Sequence, residues 1–135
     1  MRIKLDEIDP FKFSVKEKDG LFLINPNQNY TDWKKGELIF RSSIWNKDGY
    51  LVSAGFKKFF NWDEEKELSK QPNNLIGTTA MEKLDGSLLI CSYYEGKFIY
   101  RTRGTFDAYQ FANSDEIDMF REKYNLDNIL KITSR

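Results

Sequence analysis

The segment Glu82-Lys83-Leu84-Asp85-Gly86-Ser87 sets a lysine, a carboxylate and a glycine together at the junction of two apolar runs. A primary amine attacks only when neutral, and an ordinary lysine, with a pKa of about 10.4, is almost wholly protonated at pH 7. A site using Lys83 as nucleophile must therefore disfavour the ammonium form through burial or neighbouring cations. Gly86 would let a ligand approach the backbone closely. The plainer alternative is a Leu-Asp-Gly turn beside a solvated lysine, because Asp and Gly both favour turns. The rest of the 135 residues limits the options further, since they include no histidine and a single cysteine, Cys91. Triads and dyads with a His base, His-ligated zinc hydrolases, an internal disulfide and a Cys-cluster zinc site are excluded. Acid, base and nucleophile must come from Lys, Asp, Glu, Tyr or Cys, and Cys91, with no activating neighbour, reads as a small core residue on a strand.

Composition describes the scaffold that must position these groups. Hydrophobic residues make up 40% of the chain and aromatics 16%, which is core-forming material for one domain. The 21 basic and 21 acidic side chains cancel, so overall charge does not mark a nucleic-acid binder and only a local basic surface could serve as one. No apolar run approaches a membrane span, and the N-terminus turns acidic at Asp6-Glu7, which predicts a soluble, cytoplasmic protein.

From Phe11 to Arg103 the pattern is that of a meandering antiparallel sheet. Phe11 to Val15, a Lys18-Asp19-Gly20 turn and Leu21 to Ile24 form a first hairpin; residues 25–29 form a loop and Lys34-Lys35-Gly36 a turn. Leu38 to Trp45 and Tyr50 to Ser53 form a second hairpin around Asn46-Lys47-Asp48-Gly49. Asn61 with Glu64 resembles a capping box for a short helix whose acidic first turn, Asp63-Glu64-Glu65, is solvated. Strands are expected at Leu75 to Met81 and Ser87 to Tyr94, with Glu95-Gly96 turning into Lys97 to Thr102. Glu82 then faces outward from a strand, orients Lys83 or holds a metal. Ser114 opens an amphipathic helix of about three turns through Met119, Phe120 and Tyr124. The fold class is α+β, an antiparallel-rich sheet with few helices.

Lys83-x-Asp85-Gly86, followed by a strand, a hairpin turn and Arg101-Thr102-Arg103, resembles the start of the covalent nucleotidyltransferases: ATP-dependent DNA ligases, RNA ligases and mRNA capping enzymes. Lys83-Leu84-Asp85-Gly86-Ser87-Leu88 is most similar to the phage-type RNA ligase 1 family. DNA ligases and capping enzymes usually carry an arginine where this chain has Leu88. Tyr30-Thr31-Asp32-Trp33, Arg41 in Ile39-Phe40-Arg41-Ser42-Ser43, and Lys57-Lys58-Phe59-Phe60-Asn61 resemble further elements of that family, in its order. The resemblance implies that Lys83 takes AMP from ATP, with Mg²⁺ or Mn²⁺ on the triphosphate. The AMP passes to the 5′-phosphate of an RNA end, and a 3′-hydroxyl displaces it to join or repair the strand. It further implies that Arg41 contacts the nucleotide, Lys58 the phosphates and Phe60 the base. Asp85 holds the loop or assists the metal, and Gly86 admits the nucleotide. Arg103, with Arg101 the second candidate, replaces a lysine twenty positions after the nucleophile. Arg41, Lys58 and Arg103 should then meet Lys83 in one pocket.

The residues alone also allow Arg41 at an exposed strand edge and one of Phe59 and Phe60 in the core. A nucleotide-contacting tyrosine of the family falls on Asn25, and its later acidic strand, second metal-binding glutamate and paired-lysine strand have no counterpart before Arg135. The likeness spans about residues 11–110. The expectation is therefore a partial adenylyltransferase domain over residues 1–135, unable to ligate by itself, with its metal ligands unassigned. The alternative is a non-catalytic remnant that binds nucleotide or RNA ends.

Overall fold

Two-residue turns close both regular hairpins: Asp19-Gly20 joins β1 (Phe13–Lys18) to β2 (Leu21–Pro26), and Glu95-Gly96 joins β5 (Ile90–Tyr94) to β6 (Lys97–Arg101). All four turn residues have positive φ, the backbone twist that suits a tight antiparallel hairpin. The computed structural model describes residues 2–28, 32–61, 74–110 and 114–133. Within them β1, β2, β3 (Ser43–Asn46) and β4 (Leu51–Ala54) form one antiparallel sheet in sequence order, and β5 with β6 forms a second. Two α-helices follow, α1 (Ser114–Lys123) and α2 (Leu126–Thr133), separated by Asn125 at φ 50°. The fold is α+β with antiparallel sheets.

The four-stranded sheet is covered on both faces. Adjacent residues of a strand point to opposite sides, and here Leu23 and Ile24 are both buried, as are Ile44 and Trp45. On one side Ile24 and Trp45 pack with Phe13, Ile39 and Phe40; on the other Leu23, Ile44 and Val52 meet Tyr94, Ile99 and Phe106 from the second hairpin and the loop beyond it. Gly49 closes the β3–β4 turn at φ 85°, where a Cβ would stand 1.9 Å from the Ile3 carbonyl oxygen. The Ile3 amide donates to the Gly49 carbonyl there, so the N-terminal segment is laid along this turn.

Two expectations need correction, and a third holds only in part. Residues 38–41 are not strand: Lys35–Arg41 is a 3₁₀ helix, whose start is held by the Lys34 amide donating to Glu37 Oε1. Consecutive Ile39 and Phe40 are both buried in one core, which a helical turn permits and a strand, splitting them to opposite faces, does not. Residues 74–89 form no regular strand; Leu75, Ile76, Met81 and Leu84 are exposed, and among the described residues the segment pairs with no strand. Without a ladder partner, apolar alternation does not make a strand. The C-terminal helix is as expected over Ser114–Lys123, but it buries Ile117 and exposes Met119 and Phe120, and α2 follows it unannounced. The helix expected from Asn61 lies, beyond Asn61 itself, outside the described residues.

A polar knot ties α1 and α2 to β6. Arg121 grips Asp127 through Nε at 3.0 Å and Nη2 at 2.6 Å, donates to the Tyr109 hydroxyl at 2.7 Å, and lies 4.3 Å over the Tyr100 ring, whose hydroxyl donates to Asp127. The Arg121 hydrogen bonds, aided by that from Tyr100, hold the Asp127 carboxyl below its ordinary value against a smaller opposing effect of burial. Burial and the bond to Asp127 push the Tyr100 hydroxyl up. A lowered carboxyl contributes stability that is present above its unfolded pKa and lost as pH falls through the folded one. Asp127→Asn should therefore be less stable than wild type at neutral pH, and the gap should close as pH drops below the ordinary carboxylate value of 3.8. Urea midpoints measured from pH 7 down to about 2 check this, and a gap that stays constant with pH would refute it.

Candidate functional site

Three cations from distant parts of the chain line one cavity of about 330 Å³, with Pro26, Asn27, Gln28 and Trp33 as the remaining wall. Arg41 ends the 3₁₀ helix, Lys58 follows β4, and Arg103 follows β6. Backbone bonds set their spacing. The Gly55 amide donates to the Ser42 carbonyl at 3.0 Å and the Lys58 amide to the Leu38 carbonyl at 2.8 Å, so residues 55–58 run beside residues 38–42. The Arg103 carbonyl accepts from Ser42 Oγ at 2.7 Å and from Asn25 Nδ2 at 3.2 Å. Thus Asn25, the position the resemblance would give to a nucleotide-contacting tyrosine, holds the backbone of a cationic residue instead.

The electrostatics are one-sided. Burial first, and then the charge of Arg103, pull the Arg41 guanidinium below its usual value. Among the described residues none of the three cations has a carboxylate within salt-bridge distance. Like charges converging without counter-charge focus a positive potential that an anion would relieve. Two aromatic rings help to hold them: Arg41 sits 5.0 Å over Phe59 and Lys58 sits 5.1 Å over Phe60. Neither ring is core, against the expectation for one of them; Phe59 is half exposed and Phe60 partly so.

Arg101 is wholly buried where β6 meets Ser42 and β4. Its Nε donates to Ser53 Oγ at 2.9 Å, its Nη1 to Ser42 Oγ at 2.7 Å and its Nη2 to the Ser42 carbonyl at 3.3 Å. Burial among these neutral partners brings its pKa down to about 10, which still leaves it charged at pH 7.

Lys83 is placed differently. It is exposed on the irregular stretch 74–89 and does not line the cavity; Glu82 and Asp85 are exposed with it. Gly86, at φ 141°, has open space where a Cβ would stand, so a ligand could approach its backbone. Ile90 pairs with Arg101, so the Lys83 segment enters the β5–β6 hairpin at the end from which Arg103 leaves it. The structure brings together Arg41, Lys58 and Arg103, with Phe60 beneath Lys58, and leaves Lys83, Asp85 and Gly86 on the approach to the same hairpin end. Tyr30 and Thr31 lie outside the described residues. Cys91 is half-buried and burial raises its thiol pKa, as suits a packing residue.

Sequence reasoning gave Trp33 no role, and it missed Ser42 and the buried setting of Arg101. The signal for Ser42 lay in Ser42-Ser43 between Phe40 and Ile44, two hydroxyls at positions where a core would ordinarily be apolar. Among the described residues no group of three or more Asp, Glu or Cys could hold a metal ion. That leaves a resident divalent cation without a ligand set among the described residues. A larger groove, about 520 Å³, runs along α1 past Met119 and Phe120, and it gathers no such set of like charges. No helix among the described residues is long and apolar enough to cross a membrane.

Fold and site together define an α+β protein with a cationic cavity at one end of a hairpin. In comparisons with known proteins, no family model, curated protein or solved structure matches the chain.

Proposed function

We propose that the cavity binds the phosphates of ATP and that the chain belongs to the phage type of ATP-dependent RNA ligase, acting through a lysine-AMP adduct. The observation that carries the phosphate reading is the meeting of Arg41, Lys58 and Arg103 around one cavity with no carboxylate among the described residues within salt-bridge distance of them. Its volume lies at the small end of ligand pockets, suited to a phosphate chain. The ligase reading rests in addition on the ordered motifs around Lys83.

In this scheme the neutral Nζ of Lys83 forms a bond to the α-phosphorus as the bond from that phosphorus to the oxygen bridging to the β-phosphate breaks. Pyrophosphate leaves with the electron pair, and the surplus amine proton goes to solvent. Arg41, Lys58 and Arg103 bind and orient the polyphosphate and offset charge on the departing group. The AMP then passes to an RNA 5′-phosphate, and a 3′-hydroxyl displaces it.

A second reading, a binding module for nucleotides or RNA ends without chemistry, is favoured by the exposed position of Lys83 outside the cavity lining. Incubation with α-labelled ATP and Mg²⁺ or Mn²⁺, followed by denaturing electrophoresis and mass spectrometry, separates the two. A nucleotide on Lys83 supports the ligase. Saturable ATP binding with no adduct supports the binding module, and no binding at all overturns both.

A further inference from the structure

We propose that Arg101 and Ser42 form a buried positioning relay that fixes the separation of Arg41 and Arg103, and so makes the cavity fit a condensed polyphosphate chain. The inference rests on the phosphate reading of the cavity and adds to it two residues that touch no ligand.

The direction of the relay follows from donor chemistry. A guanidinium can only donate, so Ser42 Oγ must accept from Arg101 Nη1, which leaves the single hydroxyl proton for the Arg103 carbonyl. The second fork of the guanidinium reaches the Ser42 carbonyl, which also accepts from the Gly55 amide. One planar group thereby fixes Ser42 by side chain and backbone together. Ser42 directly follows Arg41, and its hydroxyl carries the constraint sixty-one positions along the chain to Arg103. Asn25 Nδ2 supplies the second donor to the same carbonyl, while its Oδ1 is buried with no partner among the described residues.

A buried cation with only neutral partners is costly, and an apolar residue of similar volume would serve packing better. Lysine could not replace Arg101, because a point charge on a flexible stem lacks the rigid fork that meets both Ser42 oxygens.

The relay separates two substitutions that packing alone would treat alike. Ser42→Ala and Ser53→Ala each remove one hydroxyl partner from Arg101, but only the first unties Arg103. Calorimetric titration of the full chain with inorganic tripolyphosphate, alongside urea midpoints, is the experiment. Both variants should lose comparable stability, whereas tripolyphosphate affinity should fall about tenfold in Ser42→Ala and stay within about twofold of wild type in Ser53→Ala. Arg101→Lys, which retains the charge, should weaken affinity as Ser42→Ala does. The relay is overturned if Ser42→Ala binds like wild type, if both serine variants weaken binding equally, or if Arg101→Lys restores full affinity. A wild-type chain that does not bind tripolyphosphate overturns the phosphate reading itself, and the relay with it.

Discussion

Lys83→Ala is expected to abolish covalent labelling of the protein by ATP while leaving its folding and its tripolyphosphate affinity unchanged. Only a neutral amine can supply the electron pair for the phosphorus–nitrogen bond, so removing the amine should give complete loss rather than a graded decrease. Lys83→Arg should be equally unlabelled, because the guanidinium stays protonated at working pH and is no nucleophile. Lys83 is exposed on an irregular stretch and lines no part of the cavity, so neither change should disturb the core or the phosphate site. Thermal midpoints and titration with tripolyphosphate check that the loss is chemical. An adduct that persists in Lys83→Ala, or one found on another lysine of wild type, would sink the assignment.

Arg103→Glu should cost the cavity at least about a hundredfold in tripolyphosphate affinity, since a hydrogen bond to a charged group contributes about 1.5–3 kcal/mol and reversal adds repulsion to that loss. Its effect on stability should have the opposite sign. The Arg103 side chain is exposed, its structural bonds are made by its backbone carbonyl, and its charge opposes that of Arg41. Replacing it by a carboxylate exchanges repulsion for attraction, so the thermal midpoint should hold or rise while binding collapses. The salt dependence of any residual binding should also flatten. Affinity unchanged from wild type, or affinity and stability falling in parallel, would show that Arg103 serves the fold rather than a ligand.

How much of this was legible beforehand varies with the range of the interaction. The Asp19-Gly20, Asp48-Gly49 and Glu95-Gly96 turns, the strands next to them and the start of α1 follow from rules acting within a few residues. Arg41, Lys58 and Arg103 were candidates by type and by family-like order, and all three line the cavity. The helical turn at Lys35–Arg41 escaped because a run of apolar residues reads equally well as strand or helix, and the choice depended on a core that takes Ile39 and Phe40 on the same side. The 74–89 segment escaped for the converse reason: it has strand composition, yet a strand exists only with a partner.

The amino-acid sequence by itself determined that any chemistry here must do without histidine and that the chain folds as antiparallel hairpins. The tertiary structure alone decided that Arg101 is buried while Arg103, two residues on, is exposed at the cavity. Arg101 is the last residue of β6, where Ser53 of β4 and Ser42, just ahead of β3, cover its guanidinium; Arg103 lies beyond the strand, and Ser42 reaches only its backbone carbonyl. Which charge is enclosed and which is offered to a ligand depends on sheet-on-sheet packing between residues some fifty to sixty positions apart, and no local pattern carries that information.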